Sequence, residues 1–249
     1  MLLKQNKRII PPLPPKHMRN HSDEQFLKSA SSFVENLKRL VDLEPKSVIL
    51  DSGCASGRLA FGLMGFLGED SGQYYGFDLR KDRIDWCNSN IATNHKNYHF
   101  EHYDIYSKYM NPNGSIPSEK FVFPYPDGLF DVVIYHSVFT HMNAKGYSNY
   151  MRETSRVLKQ FGRVYFTAFS WNKYTALMAE QENPRWNFDY CYEHYRTIDE
   201  NDPEKAVSID EEYIQDELKK NGLQLIRMEL KTWRKKWDGS QDIFVAVKT

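Results

Sequence analysis

One turn constrains this chain more than any other feature. The segment Ser47-Val-Ile-Leu-Asp-Ser-Gly-Cys-Ala-Ser-Gly57 holds an apolar run, Val48 to Leu50, that stops on Asp51. Small residues follow at every second place, Gly53, Ala55 and Gly57, and a helical pattern opens at Arg58-Leu-Ala-Phe. That order predicts a buried strand, a turn with almost no side-chain bulk and a helix start. Such a turn lets a ligand lie directly against backbone N–H groups. Spacing narrows the ligand. A dinucleotide fingerprint reads G-x-G-x-x-G. Here the order is D-x-G-x-A-x-G, with the acid first. An ordinary βα turn of some other α/β protein would share these elements, so the rest of the chain must separate the readings.

Three more segments repeat the pattern of an apolar strand that stops at a polar group. They are Tyr74-Tyr-Gly-Phe-Asp78-Leu-Arg80, Tyr98-His-Phe-Glu-His-Tyr-Asp104-Ile105 and Phe130-Asp-Val-Val-Ile-Tyr-His136-Ser137. Helical patterns separate them. In sheets of this kind, ligands bind beyond the carboxyl ends of the strands. A carboxylate there can accept from two adjacent ribose hydroxyls, which suits Asp78.

The D-x-G-x-A-x-G turn and the acids ending the next strands resemble class I S-adenosylmethionine (SAM) methyltransferases. The resemblance covers roughly residues 45–170 well and the remainder loosely. It departs at Ala55, where the family usually has a second Gly. It implies a doubly wound, seven-stranded, mostly parallel α/β sheet with helices on both faces, and SAM as cofactor. In the family the turn holds the amino-acid end of the cofactor, and an acid placed like Asp104 often accepts from the adenine amino group. The contacts implied for the cofactor are Asp51, Gly53, Ala55, Gly57, Arg58, Asp78, Leu79, Asp104, Ile105 and His136.

The length of 249 residues fits one α/β domain. Basic and acidic residues balance at 33 each, so there is no overall electrostatic footprint for nucleic acid. Lys231, Arg234, Lys235 and Lys236 form a short basic run that reads as a solvated connection. The three cysteines, 54, 87 and 191, show no metal-ligand spacing, so no metal is expected. The odd count reads as reduced thiols in a cytoplasmic protein. No sustained apolar stretch marks a signal peptide or a membrane span.

Along the chain, Pro11-Pro-Leu-Pro-Pro15 is stiff and extended, and formally matches a P-x-x-P ligand. With Lys16-His-Met-Arg19 it resembles an N-terminal arm that folds over the cofactor cleft in a subset of the family. Ser22-Asp-Glu-Gln25 predicts a capping box. Phe26, Ala30, Phe33, Val34, Leu37, Leu40 and Val41 then recur at helical spacing. Further helices are expected over about 58–67, 81–93 and 143–158. Another is expected from a second capping box at Ser208-Ile-Asp-Glu211 to Gly222. Strand five is expected over 162–169, and strands near 223–230 and 242–247 form an antiparallel hairpin at the sheet edge. The long segment 106–128 reads as an ordered loop near the site. No internal repeat is evident. The domain reading is an arm and helix, 1–44, covering the cleft. A SAM-binding domain follows, 45–249, with a substrate insert at about 171–207.

For chemistry, two histidines follow strand four. DNA amino-methylating enzymes carry an Asn/Asp-Pro-Pro-aromatic turn there, whereas this chain has Tyr135-His-Ser-Val138. A histidine is suited to take a proton from a hydroxyl acceptor. His141, on the turn beyond the strand, is the expected general base, and His136 the cofactor-side contact. A helix-capping or pocket-shaping role for His141 is the alternative. Trp171, Trp186, Tyr190 and Tyr192, with Arg19, are the candidate substrate contacts. Trp186, Phe188, Tyr190 and Tyr192 alternate and would share one strand face. An aromatic flap packed on the sheet edge is the alternative. The functional expectation is O-methylation of a small molecule or glycan. A SAM-binding protein without chemistry and a nicotinamide oxidoreductase are the rivals.

Overall fold

The computed structural model describes residues 10–19, 21–182, 187–231, 233 and 240–249. The strands are β1 (Val48–Ser52), β2 (Gln73–Asp78), β3 (Tyr98–His102), β4 (Phe130–Tyr135), β5 (Leu158–Trp171), β6 (Tyr190–Tyr192), β7 (Tyr195–Thr197), β8 (Val207–Asp210), β9 (Leu223–Glu229) and β10 (Asp242–Lys248). The helices are α1 (Asp23–Val41), α2 (Arg58–Leu63), α3 (Lys81–Cys87), α4 (Ala144–Val157), α5 (Lys173–Glu182) and α6 (Glu211–Lys220).

The central sheet runs β3-β2-β1-β4-β5, all parallel, and continues from β5 into antiparallel β10 and β9. These seven are the expected strands. Three more, β8, β7 and β6, extend the sheet from the far end of β5, giving ten. β5 therefore has two partners along one side. Residues 163–168 pair with β10, and Phe169–Trp171 pair with Ser208–Asp210 of β8.

The strands are apolar on both faces because both are covered. Ile49, Val132, Ile134, Tyr165 and Val245 point into the core beneath α1, α2 and α3. Leu50, Val133, Tyr135, Val164 and Phe166 point into the opposite core, which holds residues of α4 and α6. α1 starts as expected: Ser22 accepts from the Gln25 N–H, and the Gln25 side chain accepts from the Ser22 N–H. Its seven apolar positions at helical spacing, from Phe26 to Val41, are buried. Each such burial stabilises by about 1.5–3 kcal/mol for the larger side chains.

Four boundaries differ from expectation. β5 begins at Leu158 rather than at residue 162 and runs on to Trp171. α2 ends at Leu63, with Gly62 packed so closely on α1 that a Cβ there would lie 2.5 Å from the Ala30 carbonyl oxygen. The helix expected over 81–93 is α-helical to Cys87 and then widens to a π-turn over Asn88–Ala92. Ser208 does not cap a helix. It lies inside β8, its hydroxyl donates to the Phe169 carbonyl, and α6 begins only at Glu211. A strand partner outcompeted the local cap. Among the described residues, no helix is long and apolar enough to cross a membrane.

Candidate active site

The carboxyl ends of β1, β2 and β4 open onto a common cleft. Gly53 and Ala55 line it, Gly57 caps α2 just behind them, and all three take left-handed backbone angles, with φ of 77°, 49° and 78°. A Cβ at Gly53 would sit 2.7 Å from Val138 Cγ2, and one at Gly57 would sit 2.9 Å from Ile91 Cδ1. Both positions need glycine for conformation and for space. Ala55 accepts the conformation at a cost of about 1–2 kcal/mol. Its N–H donates to Asp78 Oδ2 at 2.8 Å, which helps to hold it there.

Asp78 is buried at the end of β2, and its Oδ1 accepts from the Arg80 N–H at 2.8 Å. Burial raises its pKa, against the two backbone hydrogen bonds that lower it. Each carboxylate oxygen retains further lone-pair capacity. Asp51 accepts from the Tyr74 hydroxyl at 2.6 Å, and burial pushes its pKa up to about 7. Arg58, the first residue of α2, donates to His136 Nδ1 at 3.0 Å. Burial and the neighbouring guanidinium push His136 down to about 3. It is therefore neutral at pH 7, with the proton on Nε2 because Nδ1 accepts.

The cleft comprises two adjoining hollows of about 250 and 220 Å³ that share Gly53, Ala55, Arg83, His136 and Ser137. The first lies between Asp51, Arg58 and the N-terminal arm at Met18, Arg19 and His21. The Ser56 hydroxyl donates to the Met18 carbonyl at 3.1 Å, so the arm rests on the turn. The second is lined by Asp78, Leu79, Ile105, Ser107, Val138, His141 and Glu204, among others. Two buried polar atoms in the cleft lining, Ser52 Oγ and Arg83 Nε, have no protein partner.

His141 closes the second hollow from a 3₁₀ turn, Phe139–His141, just beyond β4. Its Nδ1 lies 2.9 Å from the Glu204 carbonyl oxygen. A carbonyl only accepts, so Nδ1 carries the proton and Nε2 keeps its lone pair. Burial lowers the pKa of His141, against that hydrogen bond. Tyr109 stacks on the imidazole at 5.3 Å between ring centres, 14° from parallel. Ser107 donates to Glu204 Oε2 at 2.6 Å.

Most of the other expected site residues lie elsewhere. Asp104 does not line the cleft. Its Oδ1 accepts from Asn111 and its Oδ2 from the Ser115 N–H, so it braces its own loop. Arg19 does line the first hollow, but its guanidinium donates to the Pro14 and His21 carbonyls and to Asp23 at the start of α1. Trp171 lies under Arg196, 4.5 Å from guanidinium carbon to ring centre, in a separate groove with Tyr174, His194 and Tyr213. Tyr190 and Tyr192 are 41% and 39% exposed on β6, and neither lines the cleft. Trp186 lies outside the described residues, as do Arg234, Lys235 and Lys236. Phe188 precedes β6 and packs inward on Phe169 and Trp233, so these aromatics do not form one wall. Sequence reading missed Arg83, Ser107, Ser137 and Glu204. Ser137 has φ 62° at the cleft, a conformation that the strand pattern did not signal.

Comparisons with known proteins agree with this geometry. A protein of Pyrococcus horikoshii OT3 superposes with a TM-score of 0.61 at 16% identity, over 95% of this chain and 97% of that one. A SAM-dependent methyltransferase from Methanosarcina mazei gives 0.56 at 18% identity, over 87% and 96%. The 1,6-didemethyltoxoflavin-N1-methyltransferase of Burkholderia thailandensis, with bound S-adenosylhomocysteine, gives 0.54 at 16% identity, over 91% and 80%. At these identities the likeness is one of fold. The sequence profile described as "Methyltransferase domain" matches residues 43–222. That span contains every strand from β1 to β8 and the whole turn after β1, and the chain therefore belongs to the methyltransferase-domain family, as a SAM-dependent class I enzyme.

Proposed function

We propose that the enzyme methylates a hydroxyl oxygen on a small molecule or glycan, with His141 as general base. The observation that carries this reading is the hydrogen bond from His141 Nδ1 to the Glu204 carbonyl. It leaves a neutral imidazole with a free Nε2 lone pair at the cleft.

The residues present fit the cofactor. The turn of Gly53, Ala55 and Gly57 offers backbone without bulk, and Ser52 Oγ is a buried polar atom that a ligand can satisfy. When bound, SAM supplies a methyl group already activated on a sulfonium. Asp78 would hold the ribose hydroxyls on its remaining lone pairs, with Leu79 and Ile105 beside it in the same hollow. Arg58, His136 and Asp51, in the hollow beneath the arm, would hold the amino-acid end. His141 Nε2 receives the acceptor proton, a contribution of roughly 10²–10⁴-fold. Alignment of the acceptor supplies much of the remaining rate. The arm and the segment around Glu204 limit water at the reacting centre.

The test is methyl transfer from labelled SAM to a panel of hydroxyl, amine and thiol acceptors across pH. Hydroxyl acceptors should share one acid limb whatever the acceptor, with activity rising as His141 loses its proton, whereas the limbs of amines and thiols should follow each acceptor's own pKa. Because burial lowers that pKa, the limb should lie below the ordinary imidazole value of 6.5. A panel in which only amines or thiols accept would reject O-methylation.

A further inference from the structure

Glu204 lies in the segment between β7 and β8, 63 residues from His141 in the chain, yet its backbone oxygen is the partner of His141 Nδ1. Its side chain does something different. Oε2 accepts from the Ser107 hydroxyl. Burial raises the pKa of this carboxyl, against the hydrogen bonds from Ser107 and from the backbone N–H groups of Lys108 and Tyr109, which favour its charged form. One residue thus binds the loop after β3 with its carboxylate and the imidazole with its carbonyl. The same loop stacks Tyr109 against the His141 ring.

We infer that Glu204 is a positioning residue: its carboxylate anchors the 107–109 loop and so holds its own carbonyl and the Tyr109 ring against His141. This keeps Nδ1 protonated, Nε2 aimed into the cleft and water away. The inference rests on the reading of His141 as base, but its first readout does not. Without the anchor, the carbonyl has no fixed place. The imidazole is then free to exchange tautomers, and half of its Nε2 lone pairs are lost to protonation if the two tautomers become equal. His141 is faced by the backbone of Glu204 and Lys205 and the carboxylate of Asp202, all from the segment before β8, and by Tyr109 from the loop.

The conservative variant separates charge from shape. Glu204→Gln keeps an acceptor for Ser107 but weakens the bonds from the two amides. Glu204→Ala removes all three, and Ser107→Ala removes one. Nitrogen-15 spectra of the full-length protein should show His141 as the Nδ1–H tautomer in the wild type and a tautomer mixture in Glu204→Ala, with Ser107→Ala between. Hydration in Glu204→Ala relieves the burial that lowers the imidazole pKa, while loss of the carbonyl hydrogen bond lowers it; burial is the larger cause, so the net shift should be upward. The acid limb of kcat should then move to higher pH. Turnover at its plateau should fall roughly 10–100-fold, as expected for a misplaced catalytic group, with S-adenosylhomocysteine affinity within about twofold. Glu204→Gln should recover most of the loss. Circular dichroism melting checks that the variants fold.

An unchanged tautomer and an unchanged acid limb in a folded Glu204→Ala protein would overturn the inference. A changed tautomer in Glu204→Ala, with full turnover in His141→Ala, would instead reject His141 as base and leave Glu204 as its anchor.

Discussion

The wall of the cleft that carries Gly53, Ala55 and Asp78 is made of short-range pieces, whereas the wall that carries His141 is made of distant ones. On the first wall, Ala55 reaches 23 residues to Asp78, between neighbouring parallel strands. Its backbone shape is written in small residues at fixed spacing. On the second wall, Ser107 reaches 97 residues to Glu204, and Glu204 reaches back 63 to His141. No spacing rule links those positions. The difference teaches where a cleft can vary. A wall made of backbone and one acid has few solutions, whereas a wall made of loop side chains can be rebuilt without moving the strands.

If the walls divide binding from chemistry, single substitutions should fall into two classes. The largest effect belongs to the second wall. His141→Ala should lower turnover by roughly 10²–10⁴-fold while cofactor affinity stays nearly constant, since the lost interaction belongs to the transition state. Comparable losses in kcat and in S-adenosylhomocysteine affinity would erase the division.

The next effect belongs to the first wall. Asp78→Ala should weaken cofactor binding by roughly 2–5 kcal/mol in calorimetry, because a buried hydrogen-bonded charge is lost. It also strips the Ala55 and Arg80 N–H groups of their acceptor, so the ligand-free protein should melt lower. Wild-type affinity in a folded variant would remove Asp78 from the cofactor site.

A smaller effect concerns Asp51. Its carboxyl titrates near 7 in the folded protein and near 3.8 when unfolded. Between those values the native state holds a proton that the unfolded state has released. Stability should therefore fall as pH rises from about 4 to 7. Asp51→Asn should flatten that slope in urea melts, and parallel slopes in the two proteins would count against the buried-acid reading.

The smallest effect is at Ala55. Ala55→Gly relieves about 1–2 kcal/mol of left-handed strain and returns about 0.4–1 kcal/mol to the unfolded chain as entropy. The net change in stability should be about 1 kcal/mol or less, with cofactor binding retained. A large loss of binding would mean that the Ala55 methyl itself contacts the cofactor.

The same division explains what was legible in the sequence. The central strands were readable because both faces of each are buried, which writes continuous apolar runs such as Val48 to Leu50. The Ser22 cap was readable because its partner, Gln25, is three residues away. Ser208 carried the same local signature, but β5 offered it a strand partner, and tertiary pairing overrode the cap. Asp104 ended its strand as a ligand-binding acid would, yet Asn111 and Ser115 took its oxygens. Glu204 stood in a polar run, Asp199 to Lys205, where nothing local marks it as facing a histidine. The aromatic alternation near residue 190 was real in the sequence, but β6 is only three residues long, too short to align four rings.

The double pairing of β5 has a further consequence for protein engineering. The chain leaves β5 after Trp171, forms β6 and β7 at the outer edge of the sheet, and returns at Val207 directly beside the strand it left. Everything between is a cassette with both ends fixed by neighbouring, registered strands. Exchanging this segment while keeping Glu204 would change what surrounds the second hollow, while β10 still clamps residues 163–168 and the turn after β1 remains untouched. On the proposed reading of that hollow as the acceptor side, the junction is the place to graft a new acceptor preference.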